Sequence, residues 1–256
     1  MTVEGGDTSL RAKPEGGGDT SPPAKPEGGA APPVSTAESI RLRFLDVDTS
    51  NVADALDRLG MLDQGLHSSF APYPADAGKL AGWAHTILGE MRPYRVEGGD
   101  PDKMAACQQL TPGSVSVWAG SGTGVCFFGE LIAIGMKELG CVGALIDGGI
   151  RDIGPIGHTG FTVYARYRTP IQSIGRWKVI DSGVPVELPG ATRDAVAVEP
   201  GDFILADHDG AIVIPATVVL PVLEHADALG AREHQIRREI AAGLSLNDAL
   251  AKFGHV

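Results

Sequence analysis

The chain has 256 residues, with 21 Lys and Arg against 32 Asp and Glu, a formal net charge of −11. That balance argues against nucleic acid as a main partner, because no surplus of cations exists to neutralise phosphates. It also means that an anionic substrate needs a local cationic site. Hydrophobic residues make up 43 % of the chain, enough for a proper core in one large domain or two small ones.

No apolar run reaches the ~18 residues of a membrane span, and the N-terminus lacks the apolar segment of a secretory signal. Cytoplasm is therefore the expected location, with no membrane partner. Cys107, Cys126 and Cys141 are odd in number and fit no zinc or disulfide spacing. Each sits in or beside an apolar stretch and reads as a buried free thiol.

Residues 1–36 read as a disordered low-complexity tail. It holds a tandem repeat, GDTSLRAKPEGG at 6–17 and GDTSPPAKPEGG at 18–29, too poor in apolar residues to offset its ordering entropy. The folded domain is assigned to 37–256, with order expected from about Ser39. Residues 36–46 have helical spacing. Asp48-Thr49-Ser50 supplies N-cap candidates for a helix through 51–60 that Gly60 ends. Residues 79–90 read as extended, Pro112-Gly113 as a turn, and 114–119 (SVSVWA) as a strand. Gly129–Leu139 forms a short helix closed by Gly140, 142–147 (VGALID) a buried strand, and Gly148-Gly149 a turn. A brief helix then leads to His158, and 161–166 (FTVYAR) is the next strand. This order predicts parallel pairing with crossover helices. Extended segments follow at 177–188 and 195–215, the latter with turns at 199–202 and at His208-Asp209-Gly210, an Asp-Gly hairpin signal. A long helical region over 216–242 and a last short helix complete an α/β domain with a mixed sheet.

Three features between 113 and 152 bear on chemistry. Gly120–Gly124 is a glycine-rich loop after a strand, without the Lys-Ser/Thr ending of a phosphate loop. Gly129 opens a helix whose first backbone N–H groups, at Glu130, Leu131 and Ile132, suit a carboxylate; the plain alternative is an ordinary helix start. Asp147-Gly148-Gly149-Ile150-Arg151-Asp152 places a cation beside a hard oxygen ligand; a surface ion pair or a helix-cap Asp is the plain alternative. Together they suit a small 2-oxo acid chelating Mg²⁺ or Mn²⁺ through its keto and carboxylate oxygens. Asp152 and Glu130 would serve as metal ligands, and Arg151 and the metal would oppose the charge of an enolate.

GELI (129–132), DGG (147–149) and RD (151–152) resemble the RraA-like family. So do NVADAL (51–56), TPGSV (111–115), GFTVYARYRTP (160–170), VPV (184–186) and PGDFILADHDGAIVIP (200–215). The resemblance spans about 38–253. It implies a β/β/α sandwich of the swivelling-domain type, with a mixed sheet and a C-terminal helix. It further implies the activity of the family's 4-hydroxy-4-methyl-2-oxoglutarate aldolases, which also decarboxylate oxaloacetate and release pyruvate. Asp152 is then the metal ligand, Glu130 a water-mediated one, Arg151 the enolate stabiliser, and Gly129–Ile132 the carboxylate cradle. A homotrimer or homohexamer is implied, with Glu224 or Asp227 as the acid from a neighbour's C-terminal helix. The chain departs from the family in having Ala119 where an Asp is frequent, Thr162 for Pro and Tyr167 for Gly. Two other readings stand beside this one: a non-catalytic regulator of a partner such as a ribonuclease, and a differently specialised enzyme on the same scaffold. His158 is either a proton donor or a surface histidine, and His208 reads as structural. Neither Lys137 nor Lys178 stands out as a Schiff-base lysine.

Overall fold

The computed structural model describes residues 36–95 and 98–254. The tandem repeat and all of the tail before Thr36 lie outside the described residues. The first described element is α1 (Thr36–Phe44). The helix α2 (Thr49–Arg58) follows. Asp48 occupies its N-cap position, yet its carboxylate is turned to Lys79 at 2.8 Å. Asp207, from a distant strand, does the capping. It accepts from the Thr49 amide at 2.8 Å and the Thr49 hydroxyl at 2.7 Å.

The sheet is built from β1 (Ala71–Tyr73), β2 (Leu80–Met91), β3 (Ser114–Ala119), β4 (Cys126–Phe128), β5 (Gly143–Ile150), β6 (Thr162–Arg168), β7 (Trp177–Ser182), β10 (Phe203–Asp207) and β11 (Gly210–Ile214). A separate hairpin is formed by β8 (Val186–Pro189) and β9 (Ala195–Val198). The order of the large sheet is β1-β6-β5-β3-β2-β10-β11, with β4 added on β5 and β7 on β2. β2–β3, β3–β5, β4–β5 and β5–β6 are parallel; the outer pairs are antiparallel. Gly65, just before β1, bridges to Ile212 of β11, so the mixed sheet nearly closes on itself. The α-helices α3 (Pro101–Cys107), α4 (Glu130–Glu138) and α5 (Ile153–Thr159) lie in the crossovers, and α6 (Val219–Ala241) and α7 (Leu246–Phe253) end the chain.

Three apolar clusters explain the layering. Alternation along β3 sends Val115, Val117 and Ala119 towards β8–β9 and Trp118 towards α3 and α4. The third cluster joins α1, α2 and α6 to β10 and β11 through Phe44, Leu56, Phe203 and Leu223. Each such fully buried side chain contributes about 1.5–3 kcal/mol. All three cysteines are buried and free, as expected. Among the described residues no helix is long and apolar enough to cross a membrane.

The expected turn at Gly148-Gly149 is not a turn: β5 continues through it to Ile150, with a register shift against β6 between Ile146 and Gly149. The glycines serve packing instead. A Cβ on Gly148 would lie 2.4 Å from the Phe127 ring, and one on Gly149 would lie 2.6 Å from the Tyr167 ring. Beside them β4 carries one residue too many for its partner. Cys126 pairs with Gly149 and Phe128 with Ile150, so Phe127 is the surplus residue of a bulge. The helix α3 was not foreseen, although Asp100-Pro101 has the form of a helix start. The Asp100 carboxylate accepts from the Lys103 amide at 3.2 Å, and Pro101 opens the helix.

Candidate active site

β4 and β5 are adjacent and parallel, and they end level at Phe128 and Ile150. Each feeds almost directly into a helix, α4 from Gly129 and α5 from Asp152. Two helix N-termini therefore stand together at the carboxyl ends of parallel strands. Their unpaired amides and dipoles favour negative charge there.

Asp152 is the centre of this arrangement. It holds the N-cap position of α5 but makes no cap bond to its own helix. Its backbone is left-handed, at φ 59° and ψ 36°, one of two such non-glycine residues among those described. That conformation costs of order 1 kcal/mol or more for a non-glycine residue. It turns the carboxylate across to the other helix, where Oδ2 accepts from the Glu130 amide at 3.3 Å. The Arg151 guanidinium is 3.5 Å from the same oxygen. Gly129 makes the approach possible: a Cβ there would lie 2.6 Å from Asp152 Oδ2 and 3.4 Å from Arg151 Cγ. The Arg151 amide donates to the Phe128 carbonyl at 3.1 Å, which ties the end of β5 to that of β4.

The structure thus brings together Gly129, Glu130, Arg151 and Asp152. The Arg151 and Asp152 side chains are 44 % and 41 % exposed, open enough to take a ligand. The cradle differs from expectation in one respect. The Glu130 amide is already engaged by Asp152, which leaves the Leu131 and Ile132 amides in the first turn of α4 for an incoming carboxylate.

A second carboxylate, missed as a site residue from sequence, holds the loop that precedes β4. Asp147 is 1 % exposed. It accepts from Arg166 at 2.8 Å and from the Ser121 amide at 2.9 Å. The Tyr167 hydroxyl lies 2.6 Å from the Gly122 carbonyl and 3.0 Å from that of Val125. The Gly120–Gly124 loop is therefore pinned at both ends. Its only sequence signal was the position of Asp147 at the foot of the Gly-Gly pair.

Other candidates fall elsewhere. Glu224 and Asp227 lie on α6, which packs on α1, α2 and α7. Asp227 is paired with Arg43 at 2.5 Å, and within this chain neither bonds to the Glu130–Asp152 group. His158 lines a cleft of about 430 Å³ beside α5, with Pro74, Asp76 and Phe161. His208 sits at the tip of the β10–β11 hairpin, beside Asp207, whose carboxylate is spent on α2. Lys137 donates to the Thr159 carbonyl and Lys178 pairs with Asp102. Among the described residues, the lysine that the fold does bury is Lys103, under β4.

A family model described as Aldolase/RraA matches residues 49–213. A protein of Halalkalibacterium halodurans provisionally named a 4-hydroxy-4-methyl-2-oxoglutarate aldolase is 28 % identical over 78 % of this chain and 87 % of its own length. Among solved structures, an uncharacterized protein from Pseudomonas syringae superimposes with a TM-score of 0.71 at 25 % identity, covering 86 % of this chain and 99 % of that one. Streptomyces coelicolor RraAS2, described as an unusual member of the RNase ES inhibitor RraA protein family, shares the fold. Its TM-score is 0.62 at 23 % identity, over 80 % of this chain and 96 % of its own. With the family match covering well over half of the sequence and the fold agreeing, the chain belongs to the RraA-like family.

Proposed function

We propose that this chain is a divalent-metal-dependent carbon–carbon lyase acting on small 2-oxo acids. It releases pyruvate by retro-aldol cleavage of substrates of the 4-hydroxy-4-methyl-2-oxoglutarate type, by decarboxylation of oxaloacetate, or by both. The observation that carries this reading is the left-handed backbone of Asp152. It sets one carboxylate beside Glu130, Arg151 and the first amides of α4.

The donor set suits a hard cation. Among the described residues no cluster of three or more His, Cys, Asp or Glu forms a closed cage. The partly exposed Asp152 carboxylate, with Glu130 next to it at the start of α4, fits Mg²⁺ or Mn²⁺, which retain several waters and take few protein ligands. Asp152 would hold the metal directly and Glu130 through water. When bound, such a metal supplies Lewis-acid stabilisation of negative charge on the substrate's keto oxygen.

The remaining work falls to the chain itself. The Leu131 and Ile132 amides hold the substrate carboxylate. Arg151 reaches the keto oxygen, where cleavage leaves an electron pair as an enolate, and a fixed guanidinium opposes that charge as it grows. Asp147 and Tyr167 hold the 120–125 loop in place. A retro-aldol step also needs a base for the distal hydroxyl, and we assign it to Glu224 or Asp227 of a neighbouring copy in a trimer or hexamer. Leu131, 82 % exposed at the mouth, fits burial by such a neighbour. A non-catalytic regulator would have no use for a strained Asp152 carboxylate held beside Arg151 and the first turn of α4.

The test is pyruvate release from oxaloacetate and from 4-hydroxy-4-methyl-2-oxoglutarate with Mg²⁺ or Mn²⁺, and again with EDTA, corrected for metal-only decay. EDTA-sensitive release is expected from at least one substrate. Absence of enzyme-dependent release from both, with folded protein and metal present, would overturn the proposal.

A further inference from the structure

Among the described residues, Lys103 is the one lysine or arginine that the fold encloses: it is 7 % exposed, in the first turn of α3. Its ammonium donates to the Phe127 carbonyl and lies 3.5 Å from Ser173 Oγ. It stands 5.4 Å from the centre of the Trp118 ring and 5.9 Å from that of Trp177, which stacks on Phe127 at 4.0 Å. No carboxylate pairs with it among the described residues. The nearest acid, Asp100, gives its Oδ1 to the Lys103 backbone amide. The charged and titratable groups that face it are Asp100 and Cys107 from α3, Cys126 from β4, and Arg151 beyond the end of β5. The indole N–H groups of Trp118 and Trp177 find no acceptor in the same box. The region is rich in donors and the cation is not neutralised.

Such a group is costly. Enclosing an unpaired ammonium is unfavourable, and an apolar side chain of similar length would fill the box without that cost. The carbonyl it holds belongs to Phe127, the surplus residue of the β4 bulge, two residues before Gly129. A bulge is where a strand's placement is least determined by its ladder. We propose that Lys103 is a positioning residue for the anion-binding turn at 129–132. It fixes the Phe127 carbonyl, and with it the height of Gly129 and Glu130 against Asp152, and its charge reinforces the positive face behind the site. It does not touch substrate. The anion-binding consequence rests on the function proposed above; the placement of the turn does not.

The test uses Lys103→Met, Lys103→Arg and the wild type, each as the full chain. Amide hydrogen exchange over 129–132 reads placement whatever reaction the protein catalyses. Calorimetry with oxalate in Mg²⁺ reads anion binding, and pyruvate-release kinetics give the split between kcat and KM. Lys103→Met is expected to melt no lower than the wild type, to exchange these amides about tenfold faster, and to bind oxalate about tenfold more weakly. Lys103→Arg should regain part of both effects, since it restores charge and a donor. If the wild type binds no oxalate but Lys103→Met still loosens the turn, positioning stands and the proposed function fails. Wild-type exchange at 129–132 in a folded Lys103→Met would overturn the inference. So would loss of folding in both variants, which would make Lys103 a purely structural group.

Discussion

Adding one methyl group at Gly129 separates the site from the fold. The Gly129 backbone is extended, at φ −154°, so alanine meets no conformational penalty. The penalty is contact: the new Cβ would lie 2.6 Å from Asp152 Oδ2. Ordinary contact needs about 3.4 Å, so the carboxylate must retreat by roughly 0.8 Å. Its 3.3 Å bond from the Glu130 amide then lengthens past hydrogen-bonding range. Because the Asp152 side chain is 41 % exposed, water replaces that bond, and the stability loss should stay below about 1 kcal/mol. The functional loss should be larger, about 10- to 100-fold in turnover, since a misplacement near 1 Å in a reacting group costs on that order. Thermal melting, calorimetric titration with Mn²⁺ and metal-dependent pyruvate release measure the three effects on one preparation. Wild-type Mn²⁺ affinity and turnover in Gly129→Ala would refute the role given to Asp152. A stability loss of several kcal/mol would instead place Gly129 among the folding determinants.

Asp152→Asn should fold, since Asn tolerates the left-handed backbone. It should lose Mn²⁺ binding in calorimetry; retained binding would show that the metal is held elsewhere. Asp147→Asn leaves Arg166 without its charge partner at 2.8 Å. Because Arg166 is 32 % exposed, the cost should be about 2–3 kcal/mol in denaturant unfolding, below the 3–5 of a fully enclosed pair. The Ser121 amide should also exchange faster. Burial holds the Lys103 ammonium down at about 8 against an ordinary 10.5. Between those values the unfolded chain binds more protons than the folded one, so stability should rise with pH across that window. The rise should approach ~3 kcal/mol. It should be absent in Lys103→Met; identical pH profiles of unfolding would show that Lys103 is not held as the structure places it.

Much of the fold could be read from local pattern. SVSVWA is β3 to the residue, and GELIAIGMKE with its closing Gly140 is α4, because a strong apolar period and a glycine stop leave little choice. The site's chemical groups were legible as residue types at 129–132 and 151–152. Their geometry was not. Nothing local says that Asp152 turns away from its own helix, or that Asp207 caps α2 from 158 positions away. Gly148-Gly149 has turn composition, and only the rings of Phe127 and Tyr167 make it strand. β4 is three residues long and exists through its neighbours. Lys103 is invisible for the same reason: a lysine in an acidic, polar stretch shows its enclosure only once β4 and β7 are laid over it.

The surplus residue on β4 turns the approach to the site into a matter of counting. In an unbroken ladder Phe127 would face Ile150, and Gly129 would fall opposite Asp152 itself. With Phe128 facing Ile150 instead, Gly129 comes level with Arg151, and the Glu130 amide comes within 3.3 Å of the Asp152 carboxylate. Segments transplanted into 126–130 from a related protein therefore have to keep their number of residues before their identity. Deleting Phe127 would restore a regular strand with Gly129 still level with Arg151, but it would remove the carbonyl that Lys103 holds and the ring that stacks on Trp177.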